Sequence, residues 1–181
     1  MVRREFPPSA ILFILSLTVA AGALLGVSLL TVEVEVTRTI VLTALVLGLT
    51  SLALEFIDFP LLIGGDTSFS TVAYMAMVFM LPFPLAAVVG VITVLIADIR
   101  NRKQILTILF NASNFALTFG LTGLIWYLAF SDITVDHAPA SLWTLLVVTA
   151  MVLAFYAINV LLTDIALSLI GNRSLKYIWL T

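Results

Sequence analysis

Two asparagines, Asn111 and Asn114, stand three residues apart inside a long apolar run, so on a helix they share a face. Thr107 and Thr118 extend that face by one turn each way. Side-chain amides in apolar surroundings need hydrogen-bond partners, supplied either by a bound ligand or by a neighbouring helix. A second polar set lies in a later apolar run, where Asp164 follows Tyr156, Asn159 and Thr163 at helical spacing. An ionisable residue within a membrane span is costly and marks a functional candidate. Alternatively, Asp164 reaches the membrane interface, or pairs with Arg173 or with the basic turn described next. Asn111, Asn114, Thr118, Tyr156, Asn159 and Asp164 together form an expected polar seam.

Three further clusters carry charge. Arg100, Arg102 and Lys103 are the densest positive stretch in the chain. They read as a determinant of membrane sidedness, around which anionic headgroups gather. Asp98 beside them reads as a local ion pair with Arg100 and Arg102. Glu55, Asp58 and Asp66 surround one loop, where they either bind a cation with the loop carbonyls or serve as helix caps and solvated charges.

Other chemistries lack their residues. The chain has no cysteine and a single histidine, His137, in a polar loop, so disulfides, thiolate sites and multi-histidine metal sites are excluded. No glycine-rich phosphate loop, H-E-x-x-H or G-x-S-x-G occurs. We therefore expect no enzyme activity, metal or cofactor within these residues, and no nucleic-acid partner. The expected partners are the lipid bilayer and other membrane subunits or further copies of the chain.

The elements that must position these residues are set by composition. Only 10% of the 181 residues are charged, against roughly 25% in soluble domains, and mean hydropathy is +1.24. Lipid is then the solvent for most of the chain, and lipid demands that every backbone polar group be paired internally. Barrel strands alternate apolar and polar residues, whereas the apolar runs here are continuous. The fold class expected is an all-α polytopic transmembrane bundle forming a single domain over 1–181.

Six spans are expected, over about 9–30, 39–56, 68–81, 84–98, 105–130 and 141–170. The first, behind Arg3 and Arg4, is longer than a signal-peptide core of roughly 7–15 residues and reads as a retained anchor. Its Gly22 and Gly26 suit close helix packing. Asp66, Thr67 and Ser68 read as caps for the third span. Residues 68–98 as one helix would measure about 46 Å against a hydrocarbon core of about 30 Å. The prolines of Leu81-Pro82-Phe83-Pro84 therefore mark a turn between a short third and fourth span. Trp126, Tyr127 and Phe130 place the end of the fifth span at headgroup level. Residues 177–181 look like the opening of an incomplete helix.

With six spans and the N-terminus inside, Arg3, Arg4, Arg100, Arg102, Lys103, Arg173 and Lys176 share one side, leaving Arg38 alone on the other. That satisfies the positive-inside rule and implies a multi-pass protein of the inner (plasma) membrane with a cytoplasmic N-terminus.

The stretch from GGDTSFS through LPFPLAAVVGV and the basic turn to FNASNFAL resembles the N-terminal membrane sensor regions that precede HD-GYP, HD or GGDEF signalling domains in bacteria. The resemblance covers about residues 55–181, and GNRSLKYIWL fits a continuation into further helices. It departs from the usual pattern in having proline on both sides of Phe83. It implies a sensing or anchoring domain that relays a signal to a cytoplasmic output domain beyond residue 181. The size and the six-helix pattern also resemble the S components of energy-coupling-factor vitamin transporters. That resemblance implies a ligand near the outer face, where the polar residues are Glu33, Glu35, Asp132, Asp136 and His137. A vitamin pocket needs several convergent polar groups, which favours the sensor. A structural subunit of a larger membrane complex is the third expectation.

Overall fold

A computed structural model describes residues 6–60, 66–68, 70–130 and 139–171. They form six helices and two three-residue strands: α1 (Pro8–Thr31), α2 (Arg38–Glu55), β1 (Asp58–Pro60), β2 (Asp66–Ser68), α3 (Ser70–Met80), α4 (Phe83–Arg100), α5 (Ile105–Phe130) and α6 (Leu142–Gly171). Five of these helices are long and apolar enough to cross a membrane; α3, with 11 residues, is the exception. At 1.5 Å per residue α3 is about 16 Å long. The expected incomplete helix at 177–181 lies outside the described residues.

Helices form here because an apolar chain in lipid must pair its own backbone. The hydroxyls within them follow the same logic. Ser28, Ser51, Thr93 and Ser113 each donate to the carbonyl three or four residues back, so a polar side chain stays paired without leaving its helix. Helix ends follow local chemistry. Thr37 caps α2 by accepting from the Ile40 N–H at 3.2 Å. Pro82 and Pro84 cannot donate the bonds that would carry α3 onward. They serve instead as N-cap and first-turn residue of α4, where the missing N–H costs nothing.

Contacts give the directions of the helices. Phe83, Gly90 and Asp98 of α4 meet Gly123, Phe119 and Asn111 of α5, so these two helices are antiparallel. Thr18 and Leu24 of α1 meet Ser113 and Gly120, so α1 runs parallel to α5. Asn159 and Phe155 of α6 meet Asn114 and Phe119, so α6 is antiparallel. Gly48 of α2 meets Val89, and Phe56 meets Arg100, so α2 runs parallel to α4. The central element is α5, which packs against α1, α4 and α6. On the far side of α4, α2 packs against α3 and α4. The start of α1, the end of α2, the end of α4, the start of α5 and the end of α6 therefore gather at one end of the bundle.

The outer helices turn apolar side chains outward. Val41, Leu42, Leu45, Val46 and Leu49 of α2 are all exposed, and Ser51 is the only residue of α2 that is buried. Apolar surface on this scale is a liability in water and ordinary in lipid. The five apolar helices fit a multi-pass membrane protein.

Asp66 to Ser68, read as the start of a helix, are strand residues: they pair antiparallel with Asp58 to Pro60, in the register Asp58 with Ser68 and Pro60 with Asp66, and α3 starts at Ser70. Gly22 and Gly26 have open space where a Cβ would stand. Close approach occurs instead at Gly90, Gly120 and Gly123, where a Cβ would collide with Phe119, Leu24 and Phe83. Trp126 is buried in the core beside Phe130, with ring centroids 4.4 Å apart.

Candidate functional site

The polar groups of the bundle converge on the first half of α5. Three residues along a helix is about 300° of rotation, so Asn111 and Asn114 lean to opposite sides of a shared face. The structure uses that offset. Asn111 Nδ2 donates to Asp98 Oδ2 of α4 at 2.7 Å. Asn114 Nδ2 donates to Asn159 Oδ1 of α6 at 2.6 Å and to Thr163 Oγ1 at 3.3 Å. Thr118 donates to Asn114 Oδ1 at 3.4 Å, and neither of these two residues is open to solvent. The expected single seam is thus two junctions, one tying α5 to α4 and the other tying α5 to α6. A third contact, Thr18 Oγ1 with Ser113 Oγ at 3.0 Å, ties α5 to α1.

Asp98 is the buried charge of the site, 3% exposed. Its ion pair is with Lys103 Nζ at 2.6 Å, not with Arg100 or Arg102 as its sequence neighbours suggest. The reason is the corner between α4 and α5. After the cap at Asn101, the Arg102 N–H donates to the Ile99 carbonyl at 3.0 Å and the Lys103 N–H to the Asp98 carbonyl at 3.1 Å. These paired bonds close the helix end and bring Lys103 back over Asp98. The same corner holds Arg102 at φ 51°, the left-handed position that glycine usually fills. A side chain there costs roughly 1–2 kcal/mol. Arg100 points elsewhere, with its guanidinium carbon 3.9 Å from the centre of the Phe56 ring, a cation–π contact.

Glu55 has a partner that sequence reading missed. The Tyr74 hydroxyl donates to Glu55 Oε1 at 2.9 Å, joining α3 to the end of α2. The available signal was a lone phenol in a short apolar helix, since buried tyrosine hydroxyls find acceptors. For Asp58 and Asp66 the structure describes the backbone pairing alone. Among the described residues no group of three or more histidine, cysteine, aspartate or glutamate side chains is placed to hold a metal.

Tyr156 and Asp164 do not join the seam. Tyr156 is half exposed on α6 and meets the Phe155 ring edge-on. One position along from Phe155, it faces outward where Phe155 faces the core. Asp164 is part-buried and has no hydrogen bond or ion pair among the described residues; the alternative partner Arg173 lies outside them. Thr163, its neighbour, is the residue that α5 engages.

Beside the asparagines a cavity of about 410 Å³ opens between α1, α5 and α6. Thr107, Asn111 and Thr163 line its depth, with Arg102 and Lys103 from the corner. At the opposite end of the bundle a second cavity of about 500 Å³ lies between α5 and α6, walled by apolar residues including Ile125, Leu128, Trp143 and Val147. The arrangement can hold helices in register and recognise an anion at the basic end.

Compared with known protein families, with characterised proteins and with solved structures, the chain matches none.

Proposed function

We propose that this chain is the membrane-embedded sensing or anchoring domain of a bacterial signalling protein, set in the inner membrane with its N-terminus in the cytoplasm. The observation that carries the reading is the buried amide junction of Asn114 with Asn159 and Thr163. It is a polar hold on α6, a helix that otherwise buries only Val147, Met151, Phe155 and Ala166. Interhelical hydrogen bonds in lipid are worth about 0.6–2 kcal/mol, enough to fix one register and weak enough to be overridden. A stimulus that perturbs this junction displaces α6, whose last turn lies at the basic end of the bundle. An output domain beyond α6 would receive that displacement.

Six crossings fit this reading. The end of α2 lies beside Arg100, while the start of α4 lies beside Gly123 and Tyr127. The chain from 57 to 82 must travel between the two ends of the bundle, with α3 as its helical part. The positive-inside rule then sets the Arg100–Lys103 corner in the cytoplasm.

The transporter reading has less support, because the described cavity at the end opposite the corner is apolar-walled and a vitamin site needs convergent polar groups. Two measurements test the proposal. Single cysteines at Arg102 and Asp132 should label from opposite faces of sealed vesicles; labelling from the same face contradicts six crossings. Extracts of the purified protein should yield no stoichiometric water-soluble small molecule; a retained vitamin-sized compound would favour transport.

A further inference from the structure

We propose that the cavity at the basic end binds an anionic phospholipid, taking its phosphate against Arg102 and the upper part of an acyl chain against the apolar wall. The proposal rests on the membrane placement above and adds a specific ligand site to it. The lining is two-toned. Arg102, Lys103 and Asn111 offer charge and donors, whereas Phe110, Ala166 and Leu167 offer hydrocarbon. A small polar ion has no use for the second set, and a plain hydrocarbon has none for the first.

The cavity lies between α1 and α6, which touch each other much less than either touches α5. It sits at the end where the helices stop, so in a bilayer it lies at headgroup depth. Basic pockets between helices on the cytoplasmic side are where anionic headgroups bind. A volume of about 410 Å³ lies within the usual range for small-molecule sites, about 300–1,000 Å³. That suits a headgroup and the first part of one chain.

Lys103 is already paired with Asp98, but Arg102 has no carboxylate partner among the described residues. It occupies a backbone conformation where glycine is unstrained. At the corner Arg102 contributes its backbone N–H, bonded to the Ile99 carbonyl, and the side-chain ion pair there is made by Lys103. A long cationic side chain held at that backbone cost beside a cavity, with no ionic partner among the described residues, points to something that side chain binds.

The test separates fold from binding. Full-length protein in neutral detergent is titrated with dioleoylphosphatidylglycerol, with dioleoylphosphatidylcholine and with inorganic phosphate, and bound molecules are counted by native mass spectrometry. One phosphatidylglycerol should be retained at least about fivefold more tightly than phosphatidylcholine, the effect of a single cation at a headgroup. Arg102→Gly should keep or raise the thermal midpoint while abolishing most of that preference. Arg38→Gly, at the other end of the bundle, should leave the preference intact. Leu167→Trp, at a half-exposed position on the cavity wall, should weaken retention of both lipids. Equal retention of the two lipids, or an unchanged preference in Arg102→Gly with a correctly folded Leu167→Trp also unaffected, would overturn the site. Competition by phosphate alone at lipid-like concentrations would overturn the lipid assignment in favour of a free anion. Labelling that placed residue 102 outside would change the leaflet involved and the functional reading, yet leave the lipid preference measurable.

Discussion

The two halves of α5 are held by different physics. From Ile105 to Asn114 its neighbours are gripped through side-chain polar atoms: Asp98 on one side, Asn159 and Thr163 on another, Thr18 on a third. From Phe115 to Trp126 the grip is shape. Phe119 is fully buried between Tyr74 and Phe155, edge-on to both rings at 5.7 Å, and it fills the space left by Gly90. Phe83 fills the space at Gly123. In lipid, apolar surface alone does not favour a helix neighbour over an acyl chain, so association needs close-fitting shape or polar pairing. Around Phe119 and Gly123 the fit is close and resists change in either direction; the apolar cavity of this half lies farther along, at Ile125 and Leu128. The polar half has a smaller apolar cluster, Phe110 with Ile14, Leu17 and Ala166, and adds a few bonds of modest strength beside an open cavity. A helix pinned firmly along one half and loosely along the other is suited to passing a small displacement to its neighbour.

That contrast breaks most visibly at Phe119. Phe119→Ala should lower unfolding stability in detergent or bicelles by about 3–5 kcal/mol, the usual loss for a buried aromatic ring. Gly123→Val should cost about 1–3 kcal/mol through its collision with Phe83, whereas Gly22→Val should stay within about 0.5 kcal/mol because nothing opposes its side chain. Stability series read by denaturant titration check both.

In the polar half the expected effects are smaller. Lys103→Met removes the cation from a buried carboxylate. Since Lys103 is 40% exposed and its pairing is partly screened, the loss should be about 1–2 kcal/mol. Adding Asp98→Asn should recover much of it, as the leftover charge and not the missing pair is what destabilises. A thermodynamic cycle over the two substitutions measures this directly. Asn114→Leu should cost least, about 0.6–2 kcal/mol, and should change the position of α6 more than the stability of the bundle.

Much of this architecture was legible in the residues. The continuous apolar runs locate α1, α5 and α6 closely, because in lipid an uninterrupted apolar segment has few alternatives to helix. The proline break before α4 was legible because proline removes specific donors. The strand pairing at Asp58–Pro60 with Asp66–Ser68 was not, since three-residue strands carry too little pattern to be seen. At the site, the residue types of Asn111 and Asn114 announced polar pairing, but not with whom. Asp98 reaches Asn111 only because the corner folds α4 back against α5, and Asn159 reaches Asn114 only because α6 packs antiparallel. Tyr156 and Asp164, grouped with Asn159 by helical spacing, make no hydrogen bond to α5 among the described residues. Periodicity places residues on a face of α6, and only packing decides which face meets α5.

The most direct test of the account is a distance between α5 and α6 in membranes. Spin labels at Leu121 and Leu161, both exposed positions, report it by pulsed electron–electron resonance in nanodiscs. The native junction predicts one narrow distance distribution, and Asn114→Leu predicts a shifted or clearly broadened one with the bundle still folded. Superimposable distributions for the two proteins would contradict the claim that the amide junction sets the position of α6.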